Sequence, residues 1–236
     1  MSFDDTKDTQ ENINYLDAIT YWTHIPPTVD GMLGGFGFIS SVDIQGSEQF
    51  LKTLFQLKKP PGKDRALDCG AGIGRVTKHV LSRFFAKVDL VEPIESFIKE
   101  APNYIKNSEK VGELFNVGLQ DFKPCTSYDV VWCQWVLAHL TNPDLISFLR
   151  TCGKSLKPNG VIVVKENLSS CEEGDMDKND SSRTRHENEL KKIFISAGLK
   201  ITKEAVQKKF PKELYRVKMY ALRPDSSYVM NEINSS

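Results

Sequence analysis

The chain has 236 residues, of which 40% are hydrophobic and 26% charged, with 31 basic and 31 acidic side chains. This composition and length are typical of one α/β domain and exclude collagen, coiled coils and wholesale disorder. A net charge of zero disfavours general binding to a nucleic-acid backbone, which requires clustered basic residues.

The first nine residues are polar and acidic, unlike a secretion signal, and no apolar run approaches the roughly 20 residues of a membrane helix. The five cysteines are scattered and form no C-x-x-C pair. This pattern favours reduced thiols over a disulfide or zinc framework, with Cys69 and Cys133 as small core residues. We therefore expect a cytosolic or nuclear protein.

An N-terminal extension is predicted over residues 1–59. A helix at 15–23 places Tyr15, Ile19 and Trp22 on one face. Residues 28–37 contain four glycines among large apolar side chains. That combination is typical either of a lid over a pocket or of a buried turn.

A second helix is predicted to begin at Ser47, as its N-cap, and to end before the Pro-Pro-Gly sequence at 60–62. Strands and helices alternate from there onward. Strands are predicted at 65–69, 88–92, 114–117, 128–134 and 161–165, with helices at 76–85, 95–105 and 143–156 and a turn at 158–160. This alternation predicts a parallel sheet with helices on both faces.

The C-terminal part is predicted to hold an acidic loop at 169–182, a helix at 183–197, and strands at 200–205 and 215–222. About nine residues separate these two strands, too few for a parallel crossover, so the last pair is predicted to be antiparallel. The main domain is predicted over residues 60–223, and residues 224–236 are predicted to be a disordered tail.

The strongest local motif is the sequence DCGAGIG at residues 68–74, between the first strand and its helix. Open α/β sheets bind ligands there, and glycine lets the backbone approach them closely. The G-x-G-x-G spacing differs from the dinucleotide fingerprint, and the acid before it would repel a pyrophosphate. Asp68 could instead be a capping or solvated acid.

A second carboxylate, Glu92, ends the next strand, where it can accept the hydroxyls of a ribose. These features favour S-adenosylmethionine (SAM), which carries an ammonium, a carboxylate, a sulfonium and a ribose but no phosphate. Arg75 can pair with that carboxylate, although it could also be an exposed helix residue.

Five parallel strands followed by an antiparallel pair resemble the sheet of class I SAM-dependent methyltransferases. The resemblance implies an α/β fold: a Rossmann-like seven-stranded sheet with helices on both faces, an antiparallel last strand and an N-terminal helical extension. It covers residues 60–223.

A narrower resemblance is carried by peptides in order along nearly the whole chain. They lie at 21–22, 25–35, 67–75, 118–122, 132–135, 139–140, 165–167 and 180–182. These peptides are similar to those of the α-N-terminal protein methyltransferases, which methylate the α-amine of proteins that begin X-Pro-Lys or X-Pro-Arg after Met removal. The resemblance implies SAM as donor, S-adenosylhomocysteine as product and such N-termini as partners, without nucleic acid or membrane.

The family also implies residue roles. The cofactor would be held by Trp22, Gly70, Gly72, Arg75, Glu92, Pro93, Ile94, Leu119, Gln120 and Gln134; some family members have Asp at the position of Glu92. The peptide channel would be formed by Leu33, Gly34, Trp135, Asn167, Asp177, Ser182 and Tyr215. Asn167 could hydrogen-bond the peptide backbone, and Trp22 or Trp135 could pack on its proline.

Catalysis requires a neutral amine. An α-amino group has a pKa of about 7.7–8.0, so its deprotonation adds less than about 1 kcal/mol, whereas a lysine amine would need about 4 kcal/mol. A modest base therefore suffices, and His139 and Asp180 are the candidates, acting directly or through water. The acids at 172, 173, 175, 177 and 180 predict either a solvated loop or a negative wall for the substrate's Lys or Arg.

Three alternatives remain from the sequence. The first is a SAM-dependent methyltransferase that acts on a lysine side chain or a small molecule. The second is a nicotinamide oxidoreductase, which the glycine spacing disfavours. The third is a SAM-binding scaffold without catalysis. The sequence shows no metal-ligand cluster, and methyl transfer by direct displacement needs none.

Overall fold

The structure is a computed structural model that describes residues 13–225. The polar N-terminus and the predicted tail, apart from residues 224–225, lie outside this range. The α-helices are α1 (Tyr15–Thr23), α2 (Val29–Met32), α3 (Ser40–Leu54), α4 (Arg75–His79), α5 (Glu95–Ile105), α6 (Asn142–Lys154) and α7 (Glu187–Ser196). Short 3-10 turns lie at Gly37–Ile39, Leu81–Arg83 and Leu137–His139.

The strands are β1 (Arg65–Cys69), β2 (Lys87–Val91), β3 (Val111–Phe115), β4 (Tyr128–Gln134), β5 (Leu156–Leu168), β6 (Asp175–Asp177), β7 (Ser182–Thr184), β8 (Leu199–Val206) and β9 (Arg216–Pro224). Seven of them form one sheet in the order β3-β2-β1-β4-β5-β9-β8. Strands β1 to β5 run parallel, and β9 runs antiparallel to both β5 and β8. The predicted parallel sheet and antiparallel last strand are confirmed.

The central strands are apolar on both faces because helices cover both sides of the sheet. Every residue of β4 is buried, including Trp132 and Cys133. Cys69 of β1 is buried as well. The prediction that Cys69 and Cys133 are core residues is therefore confirmed.

The N-terminal extension packs against the sheet domain through polar and apolar contacts. Asn14 caps α1 by accepting from the backbone of its first turn, and its own N–H donates to Ser181 Oγ at 2.7 Å. The Tyr15 hydroxyl donates to Asp144 at the start of α6. Helix α3 buries Leu51 and Leu54 in the apolar cluster that contains residues of β1 and β2. Along residues 13–225, no helix combines the length and apolar character that a membrane span requires.

The predicted start of α3 was wrong. The helix begins at Ser40, and Ser47 is a buried mid-helix residue rather than an N-cap. The helix continues through Gly46, where a Cβ would lie 2.1 Å from the Gln207 side chain. Gly46 therefore permits a close approach to a neighbouring loop instead of marking a helix end.

Other element boundaries also differ from the predictions. Helix α4 ends at His79 because Val80 leaves the helical region, and a 3-10 turn follows. The acidic loop contains β6, which pairs with β7 in a hairpin, so α7 starts only at Glu187. The predicted turn at 158–160 is a bulge inside β5, with Asn159 at φ 64°. Strand β3 ends at Phe115, earlier than predicted.

Candidate active site

A cavity lies at the carboxyl ends of β1, β2 and β4. The chain leaves β1 toward β2 on one side and later returns to form β4 on the other, so this is a topological switch point of the sheet, where α/β proteins bind ligands. We call it the donor cavity. All ten residues predicted to bind the cofactor line it: Trp22, Gly70, Gly72, Arg75, Glu92, Pro93, Ile94, Leu119, Gln120 and Gln134.

The glycine turn after β1 forms one wall of the donor cavity. Gly70 and Gly72 have φ of 65° and 56°, the left-handed region that favours glycine. A Cβ on Gly70 would lie 2.4 Å from Val136 Cγ2. The backbone N–H groups of Gly70 and Ala71 both donate to the Val91 carbonyl, which ties the turn to the end of β2.

Glu92 locks the same turn from the other side. Its Oε2 accepts from the Gly72 N–H at 2.9 Å and its Oε1 from the Ile94 N–H at 2.9 Å. Burial raises the pKa of this carboxyl to about 7, against the opposing effect of these two hydrogen bonds. The residue therefore shapes the cavity wall in addition to its predicted role toward a ribose.

Asp68 also lines the donor cavity but bonds to helix α4. Its Oδ2 accepts from the Thr77 N–H at 3.0 Å and from Thr77 Oγ1 at 2.6 Å. Burial raises the pKa of Asp68 to about 6. Asp68 is therefore buried rather than solvated, and it anchors the helix that follows the glycine turn.

Arg75 is buried, so its interpretation as an exposed helix residue was wrong. Its Nη1 donates at 2.8 Å to Asp43 Oδ2, on helix α3. Gln134 donates to both oxygens of the same carboxylate, at 2.9 and 3.0 Å. Two predicted cofactor residues thus share one protein carboxylate.

A second cavity adjoins the first, and we call it the substrate cavity. It is lined by all seven predicted channel residues, together with both predicted bases: Leu33, Gly34, Trp135, His139, Asn167, Asp177, Asp180, Ser182 and Tyr215. Trp22, Met32, Trp135 and His139 line both cavities. The two chambers therefore share a wall of two indoles, a thioether and an imidazole.

Trp135 lies at this wall in an unusual conformation. Its φ is 53°, a value rare for a residue with a bulky side chain. Its backbone N–H donates to the Lys165 backbone carbonyl at 3.1 Å. The Phe210 ring packs near its indole, with centroids 6.4 Å apart. Such backbone strain persists where the surroundings over-determine it, and it concentrates at functional sites.

His139 is held between Trp22 and the turn at 180–181. The indole N–H of Trp22 donates to His139 Nε2 at 3.3 Å, which fixes Nε2 as an acceptor. Burial lowers the pKa of His139, although the Asp180 charge and the backbone of Asp180 and Ser181 oppose the shift. The imidazole is therefore neutral at neutral pH.

Three of the five acids predicted to form either a solvated loop or a negative wall line the substrate cavity. Asp175, Asp177 and Asp180 line the substrate cavity, whereas Glu172 and Glu173 lie outside its lining. Glu173 faces away because its side chain accepts from Cys171 and its carbonyl from Arg183. Among residues 13–225, no group of three His, Cys, Asp or Glu side chains is arranged to hold a metal.

Two arginines next to these acids are engaged elsewhere. Arg183 donates to both oxygens of Glu189, at 2.7 and 2.9 Å. Arg185 is buried and donates to Asn142 and to the Leu137 carbonyl. Both arginines line the substrate cavity together with Lys178, but five acids of the same lining outnumber these three cations: Glu166, Asp175, Asp177, Asp180 and Glu213.

The sequence predictions missed several residues of the site. Met32 lies in the glycine-rich segment but carried no assigned role. Glu166 accepts from the N–H groups of Val136 and Leu137, both at 2.9 Å, and so supports the turn that presents His139. Asp43 belongs to no recognisable motif, so no local signal marks it.

The strand order, the reversed last strand and the position of the donor cavity define a class I SAM-dependent methyltransferase. A solved SAM-dependent methyltransferase from Leishmania major superposes with a TM-score of 0.83 at 39% identity, covering 89% of this chain and 82% of that one. The protein is thus an enzyme of this class, and SAM is its methyl donor.

A model of the AdoMet dependent proline di-methyltransferase family matches residues 10–223, and the chain belongs to that family. It is 48% identical over 215 residues to the human N-terminal Xaa-Pro-Lys N-methyltransferase 1, covering 89% of this chain and 95% of the relative. It is 46% identical over 216 residues to the Drosophila melanogaster alpha N-terminal protein methyltransferase 1, covering 90% and 77%.

The donor cavity fits SAM by the chemistry of its lining. When bound, SAM supplies a methyl group on a positively charged sulfur. Ile94 and Leu119 would cover the adenine, Glu92 would accept from the ribose, and Arg75 would pair with the carboxylate. Gly70 and Gly72 let the turn pack closely against Val136 and Met32, because a Cβ at these positions would lie 2.4 and 2.5 Å from their side chains.

Proposed function

We propose that the protein transfers methyl groups from SAM to the α-amine of proteins that expose an N-terminal X-Pro-Lys or X-Pro-Arg sequence. The observation that carries this proposal is the shared wall of Trp22, Met32, Trp135 and His139, where the donor cavity meets an acid-lined second cavity. The name of the human relative supports the same substrate class.

The substrate cavity offers a matching group for each part of such a peptide. Asp175, Asp177 and Asp180 favour a cationic third side chain by charge. Trp135 and Trp22 supply flat apolar surfaces for the proline. Asn167, which lines the substrate cavity, can hydrogen-bond the peptide backbone. A chain end held in this way places its amine where the two cavities meet.

Two residues at this junction can accept the ammonium proton. His139 Nε2 is already engaged by the Trp22 indole. Asp180 lines the substrate cavity, and its Oδ1 accepts from the Ser182 N–H at 3.1 Å. We favour Asp180 as the acceptor and His139 as its neutral neighbour, because the accepting nitrogen of His139 is occupied.

Methylation of a lysine side chain is the weaker proposal on physical grounds. A lysine amine would need about 4 kcal/mol for deprotonation near neutral pH, against less than about 1 kcal/mol for an α-amine.

The test uses a hexapeptide that begins Ala-Pro-Lys, incubated with the protein and SAM and analysed by mass spectrometry. We expect methyl groups on the α-nitrogen of the free peptide and none on its α-acetylated copy. A third peptide with Gln in place of Lys should react more slowly because it lacks the positive charge. Equal methylation of the free and acetylated peptides would exclude the proposal.

A further inference from the structure

Asp43 lies on helix α3, in the N-terminal extension and outside every sequence motif of the site. Its side chain is 1% exposed. A buried carboxylate is costly unless charged or polar partners surround it. Asp43 has three such partners, and each belongs to a different strand or helix of the sheet domain.

Two of these partners line the donor cavity. Arg75, at the start of α4, donates to Oδ2 at 2.8 Å, and Gln134, at the end of β4, donates to both carboxylate oxygens. The side-chain carbonyl oxygen of Gln134, Oε1, in turn accepts from the Trp132 indole N–H at 3.1 Å. Asp43 therefore sets where two side chains of the donor cavity point.

The third partner anchors Asp43 itself. Lys165 of β5 is fully buried and its Nζ bonds to Asp43 Oδ1. The same ammonium donates to Ser47 Oγ at 2.9 Å and to Gln207 Oε1 at 2.7 Å. Lys165 thus fixes α3 against β5 and against the segment after β8.

The charges explain why a carboxylate is needed at this position. Arg75 and Lys165 are both cationic, and both lie beside the Trp135 ring, at 5.7 and 5.9 Å from its centroid. Burial opposes ionisation of Asp43, but the two cations outweigh burial and lower its pKa. An anion between two cations prevents their mutual repulsion and leaves one positive charge beside the donor cavity.

We propose that Asp43 is a positioning residue for the methyl donor: by holding Arg75 and Gln134 in place, the N-terminal extension preorganises the site for the carboxylate end of SAM. Preorganised side chains lower the cost of ordering on binding. This role concerns only the donor, so it can be tested without a peptide.

The test measures the affinity for S-adenosylhomocysteine by isothermal titration in Asp43→Asn, with Asp89→Asn as the matched control. Asp89 is an equally buried carboxylate that pairs with Arg65 and lies outside the lining of both cavities. We expect both variants to lose stability in urea unfolding, and only Asp43→Asn to weaken binding, by about tenfold or more.

A double-mutant cycle with Arg75→Gln separates positioning from general destabilisation. If Asp43 acts through Arg75, Asp43→Asn should weaken binding much less in the Arg75→Gln background than in the parent. Additive losses, or equal losses in Asp43→Asn and Asp89→Asn, would overturn the proposal.

A second variant keeps the test decisive if Asp43→Asn does not fold. Lys165→Met removes the anchor of Asp43 but leaves the carboxylate paired with Arg75, so no buried charge is left without a partner. We expect it to weaken S-adenosylhomocysteine binding by about threefold or more, again coupled to Arg75. An unchanged dissociation constant in folded Lys165→Met would contradict the proposal.

Discussion

At the scale of single residues, the Trp22–His139 contact lies where the two cavities meet, and it acts together with burial to keep the imidazole neutral. A donor to Nε2 stabilises neutral histidine, because only the neutral ring has a lone pair there. In Trp22→Phe an aromatic ring remains at position 22 but the N–H donor is lost. We therefore expect the lowered pKa of His139 to rise toward its ordinary value.

Proton NMR titration of the imidazole C–H signals checks this expectation. His79 serves as an internal reference in the same experiment. Its titration should not move, because its hydrogen bond is to Tyr104 and not to Trp22. An unchanged His139 titration would show that the indole N–H has no influence on it.

The acids that line the substrate cavity are expected to affect kcat/KM for cationic peptides. Asp177 lines the cavity but is exposed, so its attraction for a substrate cation is screened by solvent. An exposed pair contributes about 0.2–1 kcal/mol, so Asp177→Asn should lower kcat/KM for a Pro-Lys peptide by at most about fivefold. Steady-state kinetics at low and high salt measures this loss, which should shrink as salt rises.

Glu172→Gln provides the control for that measurement, since it removes one negative charge from the same loop outside the cavity lining. It should leave kcat/KM nearly unchanged. A peptide with norleucine at the third position should also react equally with the parent and Asp177→Asn. If the two variants behave alike toward Pro-Lys, general charge rather than a specific contact would explain the acids.

The sequence predicts residues of the site well where they follow strand ends. Gly70, Glu92 and Gln134 terminate or follow neighbouring parallel strands, so the topology alone brings them together. Asp43 could not be predicted in this way. It reaches the donor cavity through the packing of α3, a tertiary contact that no local pattern encodes.

At the scale of elements, the glycine turn between β1 and α4 shows how backbone conformation builds the donor cavity. Gly70 has φ 65°, and an added methyl group would meet Val136 Cγ2 at 2.4 Å. Gly34 has φ 57° in open space, with nothing within 4 Å of an added Cβ. A substitution at Gly34 therefore introduces only the strain of a left-handed residue, whereas a substitution at Gly70 introduces that strain and a steric clash.

Alanine substitutions at these two positions should differ in size. Gly34→Ala should cost about 1–2 kcal/mol, the strain of a left-handed residue alone. Gly70→Ala adds a clash with a β-branched side chain and should cost more, and it should also weaken S-adenosylhomocysteine binding. Urea unfolding and isothermal titration measure the two effects. Equal destabilisation would mean that the turn adapts to the methyl group.

Elements were predicted best where apolar patterns are long. Strand β4 and helix α5 have the predicted bounds, and α1 was also predicted correctly. Boundaries failed where tertiary contacts override local signals. Ser47 resembles an N-cap but bonds to Lys165 in mid-helix, and the acidic loop forms a short hairpin because β6 and β7 satisfy each other's backbone.

At the scale of the whole molecule, three buried carboxyls link stability to pH. Burial raises the pKa of Glu166 and Glu92 to about 7 and that of Asp68 to about 6. Because these values lie above those of the unfolded chain, the folded state keeps protons that the unfolded state loses. The stability they contribute is fully present below about pH 4 and is lost as the pH rises through about 6 for Asp68 and about 7 for the two glutamates.

Burial acts to raise the pKa of Glu187, but Lys191 and Lys218 outweigh it and lower this pKa to about 2. The effect of Glu187 on stability therefore changes with pH in the opposite direction. Its contribution is present above about pH 4.5 and disappears only as the pH falls toward 2. Asp43 shares this direction. Between about pH 5 and 7 the raised carboxyls therefore dominate among these groups, and the free energy of unfolding should decrease with pH.

Glu166→Gln isolates one of the three contributions. The Gln carbonyl can still accept from the Val136 and Leu137 N–H groups, so the turn before His139 keeps its support, while the titrating group is gone. Burial raises the pKa of Glu166 from its ordinary value near 4.5 to about 7, which corresponds to a contribution on the order of 3 kcal/mol. The variant should consequently be more stable than the parent at pH 7.5, and its free energy of unfolding should fall less steeply between pH 5 and 7. Urea unfolding at several pH values measures this slope, with Glu113→Gln at an exposed position of β3 as the control. A slope identical to that of the parent would show that Glu166 is ionised in the folded protein at pH 5.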